Sequence, residues 1–335
     1  MPTGPLTKQP SWRQAPADGR PMGVSVVIVT YRNEADIGAC LSAVGQAAPG
    51  IPMEVIVVDN ASGDGTVAAA RAAGGTKIIE RQANGGFAAG CATGAEAATG
   101  QWLLFLNPDT VIAPDAVEAL LSCAQEHPGT GIVGGRFVHP DGTTDPRSFW
   151  GRPSPWSAAC FALGLTSLLP GSRFFDPEAP QQWSADPAQE RAVPVVSGAF
   201  MLVRRQLWDT LGGFDPVFFL YGEDADFCLR AAASGCRPMV TARAVCQHAG
   251  GRSSSGAGKL VLLFTGKATL VRRHFPVWLR SAGIGLLLGG VLLRATASRV
   301  TGTASAARQA RPTAHGEDWR ALWAARDEWR RGWTG

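Results

Sequence analysis

The amino-acid sequence predicts an α/β protein in which a mostly parallel sheet is flanked by helices and followed by a C-terminal helical extension. Between residues 24 and 138, short β-branched runs alternate with Ala- and Leu-rich segments, which is the pattern of βαβ units. The strand candidates are almost continuously apolar, as strands covered on both faces should be. The chain has 335 residues, 45% of them hydrophobic, which suits one large domain with appendages.

The first half of the chain contains candidate strands separated by helices. The strands are predicted at residues 24–29, 54–58, 77–79, 102–106 and 132–138. After the first strand, Ile37, Leu41 and Val44 recur at helical spacing. Thr66 can cap a second helix, and Pro114 suits the first turn of another. Strands and helices therefore alternate, as βαβ units require.

The second half is less regular. From residue 139 to 191, prolines, glycines and tryptophans are mixed and only residues 158–169 are typical of an apolar helix, so we interpret this segment as a substrate-facing insertion. Regular elements return as a strand at 193–203, helices at 204–211 and 223–233, and a strand at 240–246. Helices with broad apolar faces follow at 259–273 and 277–299, before a helix carrying Trp319, Trp323, Trp329 and Trp333.

Composition excludes several classes of protein. The 31 basic and 27 acidic residues give a net charge of +4, too small to indicate nucleic acid binding, so we expect no nucleic-acid partner. Seven scattered cysteines lack the short paired spacing of zinc sites or disulfide frameworks, which favours a reducing, cytoplasmic compartment. Residues 1–23 have no apolar core for a signal peptide and are expected to be a disordered leader.

The basic and apolar helices near the C-terminus predict contact with a membrane. Their most apolar run, residues 282–293, is half the roughly 20 residues that a crossing helix needs. Basic flanks beside an apolar face suit an anionic lipid surface. We therefore expect residues 259–299 to make a peripheral contact with the inner face of the cell membrane. The alternative is a packed bundle or a homodimer surface, and a homo-oligomer is compatible with both.

Polar residues follow three of the strands, at the edge where open parallel sheets bind ligands. Thr30 and Tyr31 follow the first strand, Asp59 follows the second, and Asp109 closes an Asn-Pro-Asp triplet after the fourth. Asp59 could accept hydrogen bonds from a base or ribose, and Asp109 could hold a hard cation that bridges two phosphates. Capping of the next helix is the alternative for both aspartates.

A glycine-rich turn lies between the third strand and the next helix. It contains Asn84 and Gly86, and its small residues allow backbone amides to approach a phosphate or a sugar. Glycines are also frequent in such turns for packing alone. The turn by itself therefore does not distinguish binding from packing.

Carboxylates cluster at the start of the helix at 223–233, where Glu223, Asp224 and Asp226 follow one another closely. Proton transfer from a hydroxyl needs one nearby base, and negative neighbours raise the affinity of a carboxylate for a proton. The alternative is that these carboxylates only stabilise the helix N-terminus through their interaction with the helix dipole. His248 precedes a polar loop and could be a metal ligand or a phosphate contact, although a lone histidine is usually structural.

Taken in order, these motifs resemble family 2 glycosyltransferases of the rhamnosyltransferase type, which are cytosolic enzymes of cell-wall and polysaccharide assembly. The motifs span residues 24–255 and read VVIVTYR, VVDNASGDGT, NGGFA, LNPD, GEDADFCLR and HAGGRS. The resemblance implies the GT-A fold, a Rossmann-like, mostly parallel sheet flanked by helices. It also gives the C-terminal helices the character of a membrane-proximal extension.

The resemblance implies an inverting glycosyltransferase that moves a sugar from a nucleotide-sugar donor, expected to be dTDP-rhamnose, to a glycan or polyprenyl-diphosphate-linked acceptor. By this resemblance Thr30, Tyr31 and Asp59 would hold the nucleoside, Asn84 and Gly86 the nucleotide sugar, and Asp109 and His248 the diphosphate and a divalent metal, Mg²⁺ or Mn²⁺. Asp224 would be the catalytic base, and Glu223 would orient the acceptor.

The resemblance, together with the composition of the two ends, divides the chain into four parts. They are a leader at 1–23, a nucleotide-sugar-binding half at 24–138, an acceptor-binding and catalytic half at 139–255 that includes the insertion 139–191, and a helical extension at 256–335. Two positions depart from the family pattern. The metal motif is Asn-Pro-Asp where many relatives carry Asp-x-Asp, which implies an ion that arrives mostly with the nucleotide. Cys91 stands where the family often has Asn, which leaves the sugar less defined.

Two other functions compete with this interpretation. A nucleotidyltransferase also combines a nucleotide-binding sheet with acidic metal ligands, but the chain has no early Gly-rich, Arg- and Lys-bearing loop of the kind that grips a triphosphate. A catalytically inactive sugar-nucleotide-binding scaffold is the non-enzymatic alternative. Intact Asp109, Asp224 and His248 argue against it, and donor hydrolysis would distinguish it from an active transferase.

Overall fold

A computed structural model describes residues 23–48, 50–74, 77–179, 183, 186, 188–248, 256–300 and 316–334. The strands are β1 Val24–Thr30, β2 Met53–Asp59, β3 Lys77–Glu80, β4 Trp102–Leu106, β5 Thr110–Ile112, β6 Ile132–Val138, β7 Thr144–Asp145, β8 Phe149–Trp150, β9 Glu190–Ala192, β10 Val195–Val196, β11 Phe200–Arg204 and β12 Met239–His248. The predicted leader at 1–23 lies outside the described residues except for Gly23.

The helices surround this sheet and continue beyond it. They are α1 Ile37–Gln46, α2 Thr66–Ala72, α3 Gly86–Ala97, α4 Ala116–Glu126, α5 Pro155–Ala162, α6 Leu165–Leu168, α7 Arg205–Leu211, α8 Glu223–Ala233, α9 Ala257–His274, α10 Arg280–Val300, α11 Gly316–Ala324 and α12 Arg326–Trp329. Short 3₁₀ turns occupy Pro146–Ser148 and Val277–Leu279.

The main sheet has the strand order β3-β2-β1-β4-β11-β6-β12-β5. Strands β3, β2, β1 and β4 are parallel to one another, and β6 is parallel to β12. Between these groups, β11 runs antiparallel to both β4 and β6. The prediction of a mostly parallel sheet flanked by helices is therefore confirmed, and an antiparallel strand joins its two parallel parts.

Both faces of β1 are buried, which explains its continuous apolar sequence. Because side chains alternate along a strand, Val27 and Val29 belong to the apolar cluster that includes residues of α3 and α8, while Val26 and Ile28 belong to the cluster that includes residues of α1 and α4. Helix α3 lies very close to the sheet, since a Cβ added at Gly94 would lie 2.3 Å from a methyl carbon of Val27. Glycine at this position therefore sets the height of α3 above the sheet.

Two predicted elements are divided in the structure. The expected strand at 193–203 forms β10 and β11, and Ser197 to Ala199 make a turn between them. The reason is that β10 pairs with β8 in a separate sheet, whereas β11 pairs with β4 and β6. The expected helix at 158–169 forms α5 and α6, separated at Gly164, whose φ of 74° is not helical.

The C-terminal helices form a third apolar cluster with the insertion. Helix α5 packs on α10, and Phe264, Leu287 and Trp329 lie in their shared core with α9 and α12. The segment Val277–Ser298 is 22 residues long and, by length and composition alone, could cross a membrane. This corrects the estimate from residues 282–293, because the helix continues beyond its most apolar run at both ends.

Candidate functional site

The ends of β1, β2 and β4 meet at one edge of the sheet. Thr30 and Asp59 are paired in register, and the Thr30 hydroxyl donates to Asp59 Oδ1 over 2.9 Å. Strand β4 lies on the other side of β1, so the Asn107 to Asp109 turn follows the same edge. The structure therefore brings together the three predicted groups of polar residues.

Asp59 is buried and fixes the loop that follows it. Its Oδ2 accepts from the Ser62 backbone N–H over 2.9 Å, and its Oδ1 accepts from the Ser62 hydroxyl as well as from Thr30. Helix α2 begins only at Thr66, after Gly65, so Asp59 does not cap a helix. The carboxylate instead holds the two strand ends and the intervening loop in one arrangement.

Strained backbone concentrates around this edge. Arg32, Ala61 and Tyr221 have φ values of 58°, 57° and 68°, which non-glycine residues rarely adopt and which cost about 1–3 kcal/mol each. Tyr31 is 36% exposed, and the Arg32 guanidinium lies 5.2 Å from the centre of its ring. The Tyr31 ring is therefore accessible to a planar ligand at the sheet edge.

The glycine-rich turn is fixed by the acid-bearing segment. Gly86 has a φ of 85°, and a Cβ there would lie 2.1 Å from the Phe219 carbonyl oxygen, which accepts from Phe87 N–H over 2.8 Å. The Gly86 N–H donates to Asn84 Oδ1 over 2.9 Å. Packing therefore requires glycine at position 86 whether or not a ligand binds there.

Arg81 is part of this region, although it follows no predicted motif. Its guanidinium donates to Asn60 Oδ1 over 2.7 Å, and the Asn60 amide donates to the Gly86 carbonyl over 3.0 Å. These bonds connect the loop after β2 to the start of α3. The NGGFA and VVDNASGDGT motifs are therefore linked in one hydrogen-bonded network.

Asp109 and His248 lie side by side. His248 ends β12 and is paired with Thr110, so its Nε2 lies 3.5 Å from Asp109 Oδ1. The Asp109 side chain is 8% exposed and that of His248 is 12% exposed. Asp109 precedes a strand, and α4 begins only at Ala116, which excludes helix capping as its role.

The residues of this pair fit a divalent cation. Within the described ranges, the buried His248 Nδ1 has no hydrogen-bond partner, and Nε2 faces the carboxylate. One carboxylate and one imidazole form a small ligand set, which suits an ion that also binds phosphates. Arg147 and Lys259 belong to the same electrostatic neighbourhood, because the Asp109 charge adds to the raised pKa of Arg147 and partly opposes the lowering of the Lys259 pKa by burial.

Sequence reasoning missed these two cations because neither follows a predicted strand. Hydrogen bonds that Arg147 donates to the Asp145 carboxylate raise the pKa of Arg147, and the Asp109 charge adds to that effect. Partial burial lowers the pKa of Lys259, and the nearby Arg147 charge lowers it further. Two positive charges therefore lie near the Asp109 carboxylate, one from the insertion and one from the first turn of α9.

Glu223 and Asp224 form a buried acid pair at the start of α8. The Gly198 N–H donates to Asp224 Oδ2 over 3.1 Å and the Ala225 N–H to Oδ1 over 2.7 Å, whereas Glu223 Oε2 has no partner in the described part of the chain. Burial and the Asp224 charge raise the pKa of Glu223 to about 8. Burial also raises the pKa of Asp224, against the hydrogen bonds that it accepts. Glu223 therefore keeps its proton at neutral pH.

Asp226 has a different environment from its acidic neighbours. It accepts from Arg230 Nε over 2.7 Å and from Arg273 Nε over 3.0 Å, and His274 Nε2 lies 2.8 Å away. Burial alone would raise the pKa of Asp226, but His274 and the two arginines hold it below its ordinary value. Asp226 therefore ties α8 to α9 and is not available as a base.

The turn before the acid pair is supported by α9. Gly266 packs so closely that a Cβ there would lie 2.2 Å from the Tyr221 carbonyl oxygen. Gly222, between Tyr221 and Glu223, has a φ of 98°. The Trp333 ring lies 5.8 Å from the ring of Phe219. The C-terminal helices therefore set the backbone from which the acid pair projects.

One short segment connects the acid pair with the Asp109 turn. The Gly198 N–H donates to Asp224, and the next residue, Ala199, accepts from the Asn107 N–H over 2.9 Å. A Cβ at Gly198 would contact both Asp224 and Phe87. The structure thus connects the acid pair and the turn that carries Asp109 through the segment from Ser197 to Ala199.

Comparison with known proteins supports a single family. The model of glycosyl transferase family 2 matches residues 25–211, more than half of the chain, and that of glycosyl transferase family group 2 matches residues 181–284. The N-acetylglucosaminyl-diphospho-decaprenol L-rhamnosyltransferase of Mycobacterium tuberculosis is 29% identical over 228 residues, which cover 63% of this chain and 70% of the relative.

Solved structures share the fold. The mannosyltransferase PcManGT from Pyrobaculum calidifontis, solved with GDP-Man and Mn²⁺, has a TM-score of 0.54 at 19% identity and covers 94% of this chain and 89% of its own. GalNAc-T7, solved with UDP, GalNAc and Mn²⁺, has a TM-score of 0.55 at 15% identity and covers 78% of this chain and 52% of its own. The nucleotidyltransferase alternative gains no support from these matches. The chain belongs to glycosyl transferase family 2 and is a glycosyltransferase.

Proposed function

We propose that this glycosyltransferase moves a sugar, with inversion, from a nucleotide diphosphate to a hydroxyl of a lipid-linked acceptor. The observation that carries the proposal is the turn at Gly198 and Ala199, which binds Asp224 on one side and Asn107 on the other. The proposed base, Asp224, and the turn that carries the proposed metal ligand Asp109 are thereby linked through one short segment. Asp224 would then lie on the acceptor side of the reaction, and Asp109 and His248 on the side of the leaving diphosphate.

On the donor side, Thr30, Tyr31 and Asp59 hold the nucleoside, and Asn84 and Gly86 border the sugar. The exposed Tyr31 ring supports stacking on the base. Asp109 and His248 would hold a divalent metal, Mg²⁺ or Mn²⁺. When bound, that metal neutralises charge on the diphosphate.

On the acceptor side, Asp224 takes the proton of the attacking hydroxyl. The bonds from Gly198 and Ala225 fix its carboxylate in one orientation. Protonated Glu223, whose Oε2 has no hydrogen-bond partner among the described residues, orients the acceptor. A new bond forms between the acceptor oxygen and the anomeric carbon while the bond to the diphosphate breaks. Attack from the opposite face gives inversion without a covalent sugar intermediate.

We propose dTDP-rhamnose as the donor and a polyprenyl-diphosphate-linked N-acetylglucosamine as the acceptor, in cell-wall or polysaccharide synthesis. Support comes from the mycobacterial rhamnosyltransferase, whose name specifies a diphospho-decaprenol acceptor. An open apolar groove of about 580 Å³ between α5 and α10, bordered by Leu163, Leu292 and Leu293, adds to this support. It offers a surface for a hydrocarbon chain.

Peripheral membrane contact belongs to the same proposal. Apart from Tyr31 and Val111, every large hydrophobic side chain that is exposed among the described residues lies in 156–175 or 277–293. Trp278, Phe174 and Leu168 are 79%, 75% and 74% exposed. The insertion therefore contributes to the face that was expected from residues 259–299 alone. We place this face on the inner surface of the cell membrane, where a lipid-linked sugar is presented.

The test is transfer by purified full-length protein from dTDP-rhamnose to a synthetic polyprenyl-diphosphate N-acetylglucosamine, followed by NMR of the new anomeric centre. Inverted configuration in the product supports the proposal, and a retained configuration contradicts it. Parallel reactions with UDP- and GDP-sugars identify a different donor if rhamnose is not transferred. Folded protein that neither transfers nor hydrolyses any donor would leave the inactive scaffold as the explanation.

A further inference from the structure

A second cluster of metal-ligating side chains lies away from the acid pair and Asp109. Cys123 is in the last turn of α4, His127 directly follows that helix, and Glu190 begins β9. One ligand atom from each residue lies within 4.8 Å of the other two. The three residues therefore present sulfur, nitrogen and oxygen donors to one point.

The local fold explains how these groups meet. Cys123 and His127 are four residues apart, and the His127 N–H donates to the Cys123 carbonyl over 3.1 Å, so both side chains lie on one helix face. Glu190 reaches this face because β9 pairs with β12. Its Oε2 lies 2.8 Å from His127 Nε2. Sequence spacing could not reveal the cluster, because its third member comes from the far end of the insertion.

The surrounding charges suit a divalent ion. Arg243 binds Glu190 Oε1 and lies 3.2 Å from the Glu126 carboxylate, so it fixes Glu190 and leaves Oε2 directed at His127. A thiolate, a carboxylate and a neutral imidazole would balance the charge of one divalent cation. Partners that hold the ligands in this way are typical of protein metal sites.

We propose that Cys123, His127 and Glu190 bind Zn²⁺ through Sγ, Nε2 and Oε2, with water as the fourth ligand. This mixed donor set is one that zinc prefers. Two zinc ligands at about 2.0 Å in a tetrahedron lie about 3.3 Å apart, so His127 and Glu190 need to separate only slightly. On binding, the Cys123 thiol releases its proton to solvent, and no oxidation or reduction occurs.

The ion would act as a structural clip. It joins the end of α4 to β9, which pairs with β12 at the point where the insertion returns to the sheet. Water can reach it, because the His127 side chain is 42% exposed. The clip does not depend on the proposed sugar transfer, since neither Asp109 nor the acid pair contributes a ligand.

The test is a titration of chelator-treated, full-length protein with Co²⁺, which reports thiolate coordination by a charge-transfer absorption in the near ultraviolet. The wild type is expected to show this band at one equivalent, and Cys123→Ala is expected to lose it. Cys40→Ala is the matched control, because Cys40 is also buried but lies near Asp109. Its band is expected to remain, as is that of Asp109→Ala.

A second variant keeps the proposal testable if Cys123→Ala does not fold. His127→Gln alters a partly exposed side chain and is expected to weaken Co²⁺ and Zn²⁺ binding by about tenfold or more. Zinc should also raise the Tm of the wild type but not that of His127→Gln. Absence of a thiolate band in the wild type, its survival in Cys123→Ala, or unchanged affinity in His127→Gln would each overturn the proposal.

Discussion

The His248 imidazole lies 3.5 Å from the Asp109 carboxylate, and register pairing of β12 with β5 holds the two residues together. If they share a divalent ion with the diphosphate, Asp109→Ala and His248→Ala should each weaken metal-dependent binding of dTDP. Binding in the presence of chelator should be unchanged. Calorimetry with Mg²⁺, Mn²⁺ or EDTA measures this difference, and Glu118→Ala on the exposed face of α4 is the control. Equal losses with and without metal would point to a structural role for the pair.

Replacement of the proposed base should slow the chemical step. Asp224→Asn is expected to lower kcat by about 10²- to 10⁴-fold, the usual contribution of a general base. Nucleotide affinity should be retained, because Asp224 lies on the acceptor side of the turn at Gly198. Single-turnover transfer and dTDP calorimetry measure the two quantities, and Asp209→Asn, an exposed aspartate on α7, is the control. Full turnover by Asp224→Asn would remove this residue from the mechanism.

Glu223 should make stability depend on pH. Burial and Asp224 raise its pKa from 4.5 to about 8, so between these values the folded protein binds a proton that the unfolded chain has released. The free energy of unfolding therefore falls as the pH rises through this window. The Gln side chain of Glu223→Gln cannot ionise. The Tm of this variant should therefore rise relative to that of the wild type as the pH increases from about 5 to about 8. Parallel Tm curves for the two proteins would show that Glu223 has an ordinary pKa.

The close contact of α9 with the catalytic turn should be sensitive to a single methyl group. Gly266→Ala places a Cβ 2.2 Å from the Tyr221 carbonyl oxygen, which forces the helix or the turn to move and should cost about 1–3 kcal/mol. We expect lower kcat and Tm with little change in nucleotide affinity. Gly258→Ala is the matched control, because a Cβ at Gly258 in the same helix would have no neighbour within 4 Å among the described residues. Similar kcat values for the two variants would contradict the proposed support of the acid pair.

Removal of exposed apolar side chains should weaken membrane binding without affecting the fold. Trp278→Ala and Phe174→Ala, separately and together, are expected to reduce flotation of the protein with anionic phospholipid vesicles. Val111→Ala is the control, since Val111 is an exposed hydrophobic residue outside that face. Activity on a water-soluble acceptor should persist in all three. If the double variant floats as well as the wild type, a different surface of the protein contacts the membrane.

The sequence predicted the elements whose pattern is local. Strands β4 and β6 and helix α8 begin and end where their apolar runs or acidic start indicated, because parallel strands are buried on both faces. The continuous apolar run at 193–203 concealed a turn, since Val195 and Phe200 belong to different sheets. A local pattern specifies that a segment is extended but does not specify which strand it pairs with.

The same limit applies to the site. Asp109 and Asp224 could be selected from strand and helix ends, whereas their connection through Gly198 and Ala199 depends on the turn before β11 and on its antiparallel pairing with β4, which no pattern indicated. Arg147 and Lys259 were missed because one lies in an irregular insertion and the other in a helix interpreted only as a membrane contact. Charge near a site is a property of the folded chain, which brings distant segments together.

The packing of Gly266 against Tyr221, together with the bonds from Arg273 and His274 to Asp226, bears on how family members could exchange parts. A chimera that joins the sheet of one enzyme to the helical extension of another at residue 256 would pair a foreign α9 with the native α8. The contacts make α8 and α9 one packed unit. Recombination that aims to change the lipid acceptor while keeping the chemistry should therefore place its junction after His274, between α9 and α10.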